Sequence, residues 1–139
     1  MTSFDITHRK VVITGGTSGI GLAMAGAFLA AGAHVVICGR TAQTGAQALE
    51  KLASQHAHFL PCDVGKEDDC AALVEFAGQN MNGIDTLVCA AGLNRRGPPE
   101  TISLADWDAV QNATLKGTFL AARACYPALK SSGDGRIVT

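Results

Sequence analysis

Charge is scarce in this chain. Asp, Glu, Lys and Arg together make up 17% of its 139 residues, below the usual quarter, so some of its surface is expected to be hidden against a partner or further chain. The 11 basic and 12 acidic residues nearly cancel, and no basic run is longer than Arg95-Arg96. The electrostatic footprint of a nucleic-acid binder is therefore missing, and no nucleic-acid partner is expected. Paired cysteines are missing too. Cys38, Cys62, Cys70, Cys89 and Cys125 are odd in number and include no C-x-x-C pair, which argues against a disulfide framework and against a zinc site. Three of them close short apolar runs, where a thiol serves as a small hydrophobe; free thiols point to a reducing cytoplasm. The first ten residues, MTSFDITHRK, have no apolar core behind a positive start, so no secretory signal is expected. Ile20 to Cys38 contains no charged residue and is long enough on paper to cross a bilayer. Alanine and glycine dominate it, however, and Gly32 and His34 interrupt it before the β-branched run Val35-Val36-Ile37. It reads as a buried helix followed by a buried strand, and no membrane partner is expected.

Apolar residues are plentiful. At 47% of the chain they can build a real core, and the length suits one domain over residues 1–139. Short, continuously apolar runs recur: Val11-Val12-Ile13, Val35-Val36-Ile37-Cys38, Phe59 to Cys62, Leu87-Val88-Cys89 and Ile137-Val138. Continuous apolarity, rather than alternation, predicts strands buried on both faces, as in a parallel sheet. Between them lie helical stretches. The first spans Ile20 to Ala31 and stops at Gly32, a left-handed C-terminal signal. The second covers about Ala42 to Ser54. The third covers about Glu67 to Gln79, with three acids in its first turn, where the helix dipole favours them. Ser103-Leu-Ala-Asp106 has the form of a capping box opening a fourth helix that continues towards Leu129. Strict alternation of strand and helix implies right-handed crossovers, hence an α/β, Rossmann-like, doubly wound parallel sheet. About five strands are expected, in the order 3-2-1-4-5. Gly133-Asp134-Gly135 is a turn, and Arg136 to Thr139 begins a fifth strand with no helix after it, so the sheet is expected to be incomplete on its C-terminal side.

The chemistry concentrates after the first strand, in Thr14-Gly15-Gly16-Thr17-Ser18-Gly19-Ile20-Gly21, which leads straight into a helix. Gly15, Gly19 and Gly21 allow a tight turn, close backbone approach to a ligand and close packing of the helix. Free amides at a helix start, with its partial positive charge, suit a pyrophosphate. A nucleotidase phosphate loop is excluded, because Leu22-Ala23 stands where Lys and Ser or Thr would be required.

TGGTSGIG, with its T-G-x-x-x-G-x-G spacing, resembles the nucleotide loop of the short-chain dehydrogenases/reductases. The similarity continues through Cys62-Asp63-Val64, Ala91-Gly92, Asp106-Trp107-Asp108, Leu115 to Phe119 and Gly135 to Val138. The resemblance implies reversible hydride transfer between a nicotinamide dinucleotide and an alcohol or carbonyl substrate. It implies cofactor contacts from Gly15, Thr17, Ser18, Gly19, Ile20 and Gly21, from Asp63 and Val64 on the adenine side, and from Ala91 and Gly92. The plainer reading of Asp63 is a cap for the helix that follows it. At the end of the second strand an acid would bind a 2′-hydroxyl, but here Gly39 holds that place and Arg40 follows. An arginine suits a 2′-phosphate, so NADP is expected in preference to NAD. Leu93 to Gly97 looks like the loop of sugar-acid members of the family.

Three departures stand beside the resemblance. Cys89-Ala90-Ala91-Gly92 replaces the family's N-N-A-G. Thr114 stands at the family's catalytic asparagine, with Asn112 two residues away. The catalytic serine and Tyr-x-x-x-Lys of the family follow the fifth strand, whereas this sequence stops at Thr139. No catalytic residue is therefore assigned, and the chain is expected to be a shortened, inactive cofactor-binding portion; the alternative is a non-catalytic dinucleotide-binding or subunit-assembly module. Tyr126-Pro-Ala-Leu-Lys130 repeats the Tyr/Lys spacing, but on the closing turns of the fourth helix, where packing is the expected role. His8, His34, His56 and His58 fall at strand starts with no metal or triad spacing. A homo-oligomer through the apolar fourth helix is expected.

Overall fold

The computed structural model describes residues 5–139, and its backbone forms one five-stranded parallel sheet with helices on both faces. The strands are β1 (Lys10–Thr14), β2 (His34–Gly39), β3 (Ala57–Pro61), β4 (Thr86–Cys89) and β5 (Arg136–Val138). The helices are α1 (Gly19–Ala30), α2 (Ala42–Leu52), α3 (Glu67–Met81), α4 (Leu104–Gln111) and α5 (Gly117–Ser131). Strand order is β3-β2-β1-β4-β5, with every neighbouring pair parallel. The chain thus winds outwards from β1 to one edge, returns to β4 and continues to the other. The reversal lies between β1 and β4, and a crevice opens there at the carboxyl ends of the strands.

Two cores flank the sheet. Val12, Val36 and Leu87 pack on one face with Cys70, Leu73 and Ala77 of α3 and Leu120, Ala121, Cys125 and Leu129 of α5. Val11, Ile13, Val35, Ile37 and Val88 pack on the other face with Ala25 and Ala48, under α1 and α2. The alternation follows from strand geometry: successive side chains point to opposite faces, and both faces of a central parallel strand are covered. Continuous burial holds for β1 and β2. It fails for β3, which is half-buried, and for β5, which is exposed throughout. Both are edge strands with a neighbour on one side only.

The local signals act as their chemistry requires. Gly32, just after the α1 C-cap Ala31, takes φ +86°. Ser103 accepts from the Asp106 amide at 3.1 Å and donates its hydroxyl to the Asp106 carboxylate at 2.9 Å, a capping interaction that stabilises α4 by about 1 kcal/mol.

The fourth helix differs from its expected form. It does not run unbroken to Leu129: Asn112–Lys116 form a π-helical turn between α4 and α5. Gly117 gives part of the reason. A methyl group there would lie 2.5 Å from Cγ2 of Val64, so the helix passes against the loop after β3 with no room for a side chain. A widened turn lets the axis make that approach while the helix continues. Tyr126 also departs from expectation, being 57% exposed instead of packed.

All five cysteines are free; four are buried and Cys89 is half-buried. Among the described residues no group of three or more His, Cys, Asp or Glu could hold a metal, and no helix is long and apolar enough to cross a membrane.

Candidate functional site

Four loops meet at the carboxyl edge of the sheet. The turn from β1 into α1 is the central one. Gly15 takes φ +67°, and a Cβ on it would stand 2.6 Å from the Ala91 Cα and 2.8 Å from the Ala90 carbonyl oxygen. Only glycine lets the loop lie so close to the end of β4. A Cβ on Gly21 would meet the Gly15 carbonyl oxygen at 2.2 Å. The third glycine therefore packs α1 against the loop itself. Gly19 differs: its φ is +53°, and nothing lies within 4 Å of where its Cβ would be. The space above Gly19 is open.

Helix α1 begins at this opening. Its N-cap, Ser18, is extended and makes no side-chain capping hydrogen bond, and the first turn contains no acid. The leading amides and the positive end of the dipole therefore face the opening without a side-chain cap, an arrangement that suits an anion. Ile20, 78% exposed, stands at the mouth. Gly15, Thr17, Ser18, Gly19, Ile20, Gly21, Gly39, Arg40, Ala90, Ala91 and Gly92 line one cleft of about 370 Å³. Nine of the sequence-derived contacts converge there. Asp63 and Val64 lie outside that cleft, at the end of the neighbouring β3.

Arg40 is exposed and makes no ion pair among the described residues. Gly39, beside it, does more than omit an acid: a Cβ there would lie 2.8 Å from the Thr17 Oγ1 and Cγ2. Asp63 is not the helix cap, since the N-cap of α3 is Lys66. Its Oδ1 accepts from the Gly65 amide at 3.0 Å, and its own amide donates to the Asp69 carboxylate at 2.8 Å. This pair of bonds holds the loop carrying Val64 in a fixed turn.

Two contributors escape sequence reasoning. Thr14 is buried, and its hydroxyl accepts from the Ala91 amide at 3.3 Å, tying the end of β1 to the loop after β4. The π-helical turn also packs here: its Asn112 carbonyl oxygen lies 3.5 Å from a Cβ built on Gly65, and Thr114 Oγ1 lies 3.8 Å from one built on Gly92. The hydroxyl of Thr114 therefore stands beside Gly92. A π turn has no clear signature in a single sequence, but a threonine ending an apolar strand just before a glycine loop is a usable cue.

The remaining candidates lie apart. Tyr126 shares a groove with Gly133, Gly135 and Ile137 at the start of β5, at the opposite edge of the sheet. A cavity of about 510 Å³ is also at that edge, and its Arg9, Lys10, Asp85 and Asp134 are tied to one another or to backbone. Arg95 pairs with Asp106 at 3.4 Å, beside a small polar hollow that Arg96 also lines. Burial pushes the Cys89 thiol up to about 11 and Cys125 up to about 12. Contact with Cys38 raises Cys62, and contact with Cys62 raises Cys70. None of these four thiols is activated as a nucleophile.

The family model described as short chain dehydrogenase matches residues 9–139. The chain belongs to that family. Among curated relatives, the D-threitol dehydrogenase of Mycolicibacterium smegmatis is 33% identical over 97% of this chain and 53% of its own length. An uncharacterized oxidoreductase of Staphylococcus aureus is 29% identical over 96% of this chain and 58% of its own length. A solved structure, the 3-ketoacyl-(acyl-carrier-protein) reductase of Brucella melitensis complexed with NADH, superposes with a TM-score of 0.88 at 29% identity, covering 92% of this chain and 53% of that one. The chain thus spans a little over half the length of these relatives.

The glycines have separable roles. Gly21→Ala should destabilise the fold by roughly 3 kcal/mol, because the new methyl meets backbone that cannot swing away. Gly19→Ala should cost only about 1 kcal/mol, the strain of a left-handed residue, while its methyl enters the open space and weakens nucleotide binding. Urea unfolding alongside nucleotide titration tests this; equal losses of stability in the two variants would contradict it.

Proposed function

We propose that these residues form the NADP-binding part of a cytoplasmic short-chain dehydrogenase/reductase acting between an alcohol and its carbonyl. The observation that carries the reading is Arg40, a guanidinium with no ion-pair partner among the described residues, at the rim of the glycine-loop cleft and beside a glycine where an acid would favour a free 2′-hydroxyl. The cleft fits a dinucleotide on its own geometry: uncapped amides at the start of α1 face a space kept clear by Gly19. Gly15, Thr17, Ser18, Gly19, Ile20 and Gly21 would hold the pyrophosphate, Arg40 the 2′-phosphate, Asp63 and Val64 the adenine, and Ala91 and Gly92 the nicotinamide side. When bound, the cofactor supplies or accepts a hydride.

NADPH should bind more tightly than NADH, by about tenfold for one charge-assisted contact. Arg40→Asp should reverse the order, since a carboxylate repels the phosphate and accepts from a free 2′-hydroxyl. Fluorescence titration of both nucleotides decides it, and equal affinities before and after the change would refute it.

Hydride transfer to a carbonyl also needs a placed proton donor, whose contribution is typically about a hundredfold to ten-thousandfold. Tyr126, the sole tyrosine, stands at the far edge of the sheet from the cleft. The 139 residues should therefore not oxidise NADPH with ketones, aldehydes or keto-sugar acids. If turnover is found, its loss in Tyr126→Phe would overturn this placement of Tyr126, and its survival would reveal a different donor.

The reading includes self-association. Trp107 of α4, Leu115 of the π turn and Phe119 of α5 are each more than half exposed. Leu115 and Phe119, four residues apart on a helix, share a face. Such a face is a candidate contact between copies. A dimeric or larger mass is expected by light scattering at micromolar concentration, shifting to monomer in Phe119→Asp; a monomeric parent chain would remove the argument.

A further inference from the structure

All four histidines of the chain gather at one place, the sheet edge opposite the dinucleotide cleft. His34 opens β2 and is in register with Lys10 of β1. The β2–β3 register aligns Val35 with Ala57 and Val36 with His58, which sets His56 beside His34. Their ring centroids lie 4.3 Å apart, with the planes tilted by 54°. His58, two residues beyond His56, shares its side of the strand, and His8 stands in the turn just before β1. Lys10, His34 and His56 therefore form a row of cross-strand neighbours, an arrangement in which like charges are destabilising.

The electrostatic surroundings of His34 are one-sided. Burial, and then His56, His8, His58 and Lys10, hold its pKa below that of a free imidazole; each of these four groups is a base. The carboxylates sharing the adjacent cavity with His8 and Lys10 are already engaged. Asp85 pairs with Arg9 at 3.7 Å and accepts from the Lys10 amide at 3.0 Å, while Asp134 is held by Arg9 and Arg136. From the end of α3, the Asn82 carbonyl accepts from the Lys10 ammonium at 2.8 Å.

We infer that this row is an acid-sensitive seam between β2 and β3. The His34 and His56 rings lie against one another, and the Val35 amide donates to the His56 carbonyl at 2.9 Å, the bond nearest that end of the pair. On acidification His34 gains a positive charge among neighbours that disfavour it, Lys10 included, and its place between β1 and β3 is destabilised. Strand β3 is an edge strand joined only to β2, so it opens from its His56 end. The direction follows from linkage. A folded-state pKa below the unfolded one means that the unfolded chain binds more protons, so stability is complete above about pH 6.5 and is lost as pH falls below it.

The test is urea unfolding of the full chain between pH 7.5 and 5.0, a window in which Asp5 and Asp134, both held below the usual carboxylate range by hydrogen bonds, stay ionised. The unfolding equilibrium constant should rise as pH falls across the window in the parent chain and less than half as steeply in His34→Gln and in His56→Gln. Hydrogen-exchange protection should fall at Val35 before it falls at Val12. Unchanged pH dependence in both variants would overturn the seam. The His34 ring titration in the parent chain decides the question even where a variant fails to fold: a midpoint below that of free imidazole supports the seam, and one at or above it overturns it.

Discussion

The structure depends on a backbone approach too close for any side chain. The start of α1 lies against the carbonyl of Gly15, and Gly15 lies against the end of β4, so that a single methyl group at Gly21 or Gly15 would stand 2.2 Å or 2.6 Å from another stretch of backbone. That contact joins the turn between β1 and α1 to the end of β4, more than seventy residues away. It also decides where the α1 amides point: into the crevice formed where the winding of the sheet reverses between β1 and β4. The Thr14 hydroxyl, taking the Ala91 amide, closes the same junction by hydrogen bonding. Cleft, helix dipole and the two flanking loops all follow from this one packing constraint.

The two edges of the sheet are built on different electrostatic terms. At the carboxyl edge charge is left unpaired: Arg40 has no ion-pair partner among the described residues, and the first turn of α1 has neither a capping side chain nor an acid. At the opposite edge Arg9, Asp85, Asp134 and Arg136 neutralise one another, which is why the larger cavity there offers a ligand little, despite its size. Uncompensated donors, more than volume, mark a place where an anion gains by binding.

The periphery carries the looser parts. β3 and β5 are covered on fewer sides than β1 and β2, and their half-buried and exposed residues record it. The π turn lies between these regimes: it brings Asn112 to the loop after β3 and Thr114 to the loop after β4, while α4 and α5 present Trp107, Leu115 and Phe119 outwards. One irregular turn thus contributes to the edge of the site and to an exposed apolar surface.

Local chemistry was enough to read much of this from the residues alone. Continuous apolar runs separated by helical stretches pointed to a doubly wound parallel α/β sheet, because strands buried on both faces need crossovers that cover them; the strand order came with the resemblance to a known family. The glycine spacing and the residue after β2 named the cleft and its basic rim, since both effects act within a few residues. The tertiary structure alone decided what depends on contacts between distant segments. The break in the long fourth helix arises where Gly117 meets Val64, a neighbour more than fifty residues away. The partial exposure of β3 and β5 follows from their place at the edges, not from their apolar composition. Asp63 turned out to fix a loop instead of capping a helix because the chain turns once more before α3 begins. The four histidines were legible as lying at strand starts, hence on one edge of a parallel sheet; register alone decided that His34 and His56 meet ring to ring across β2 and β3.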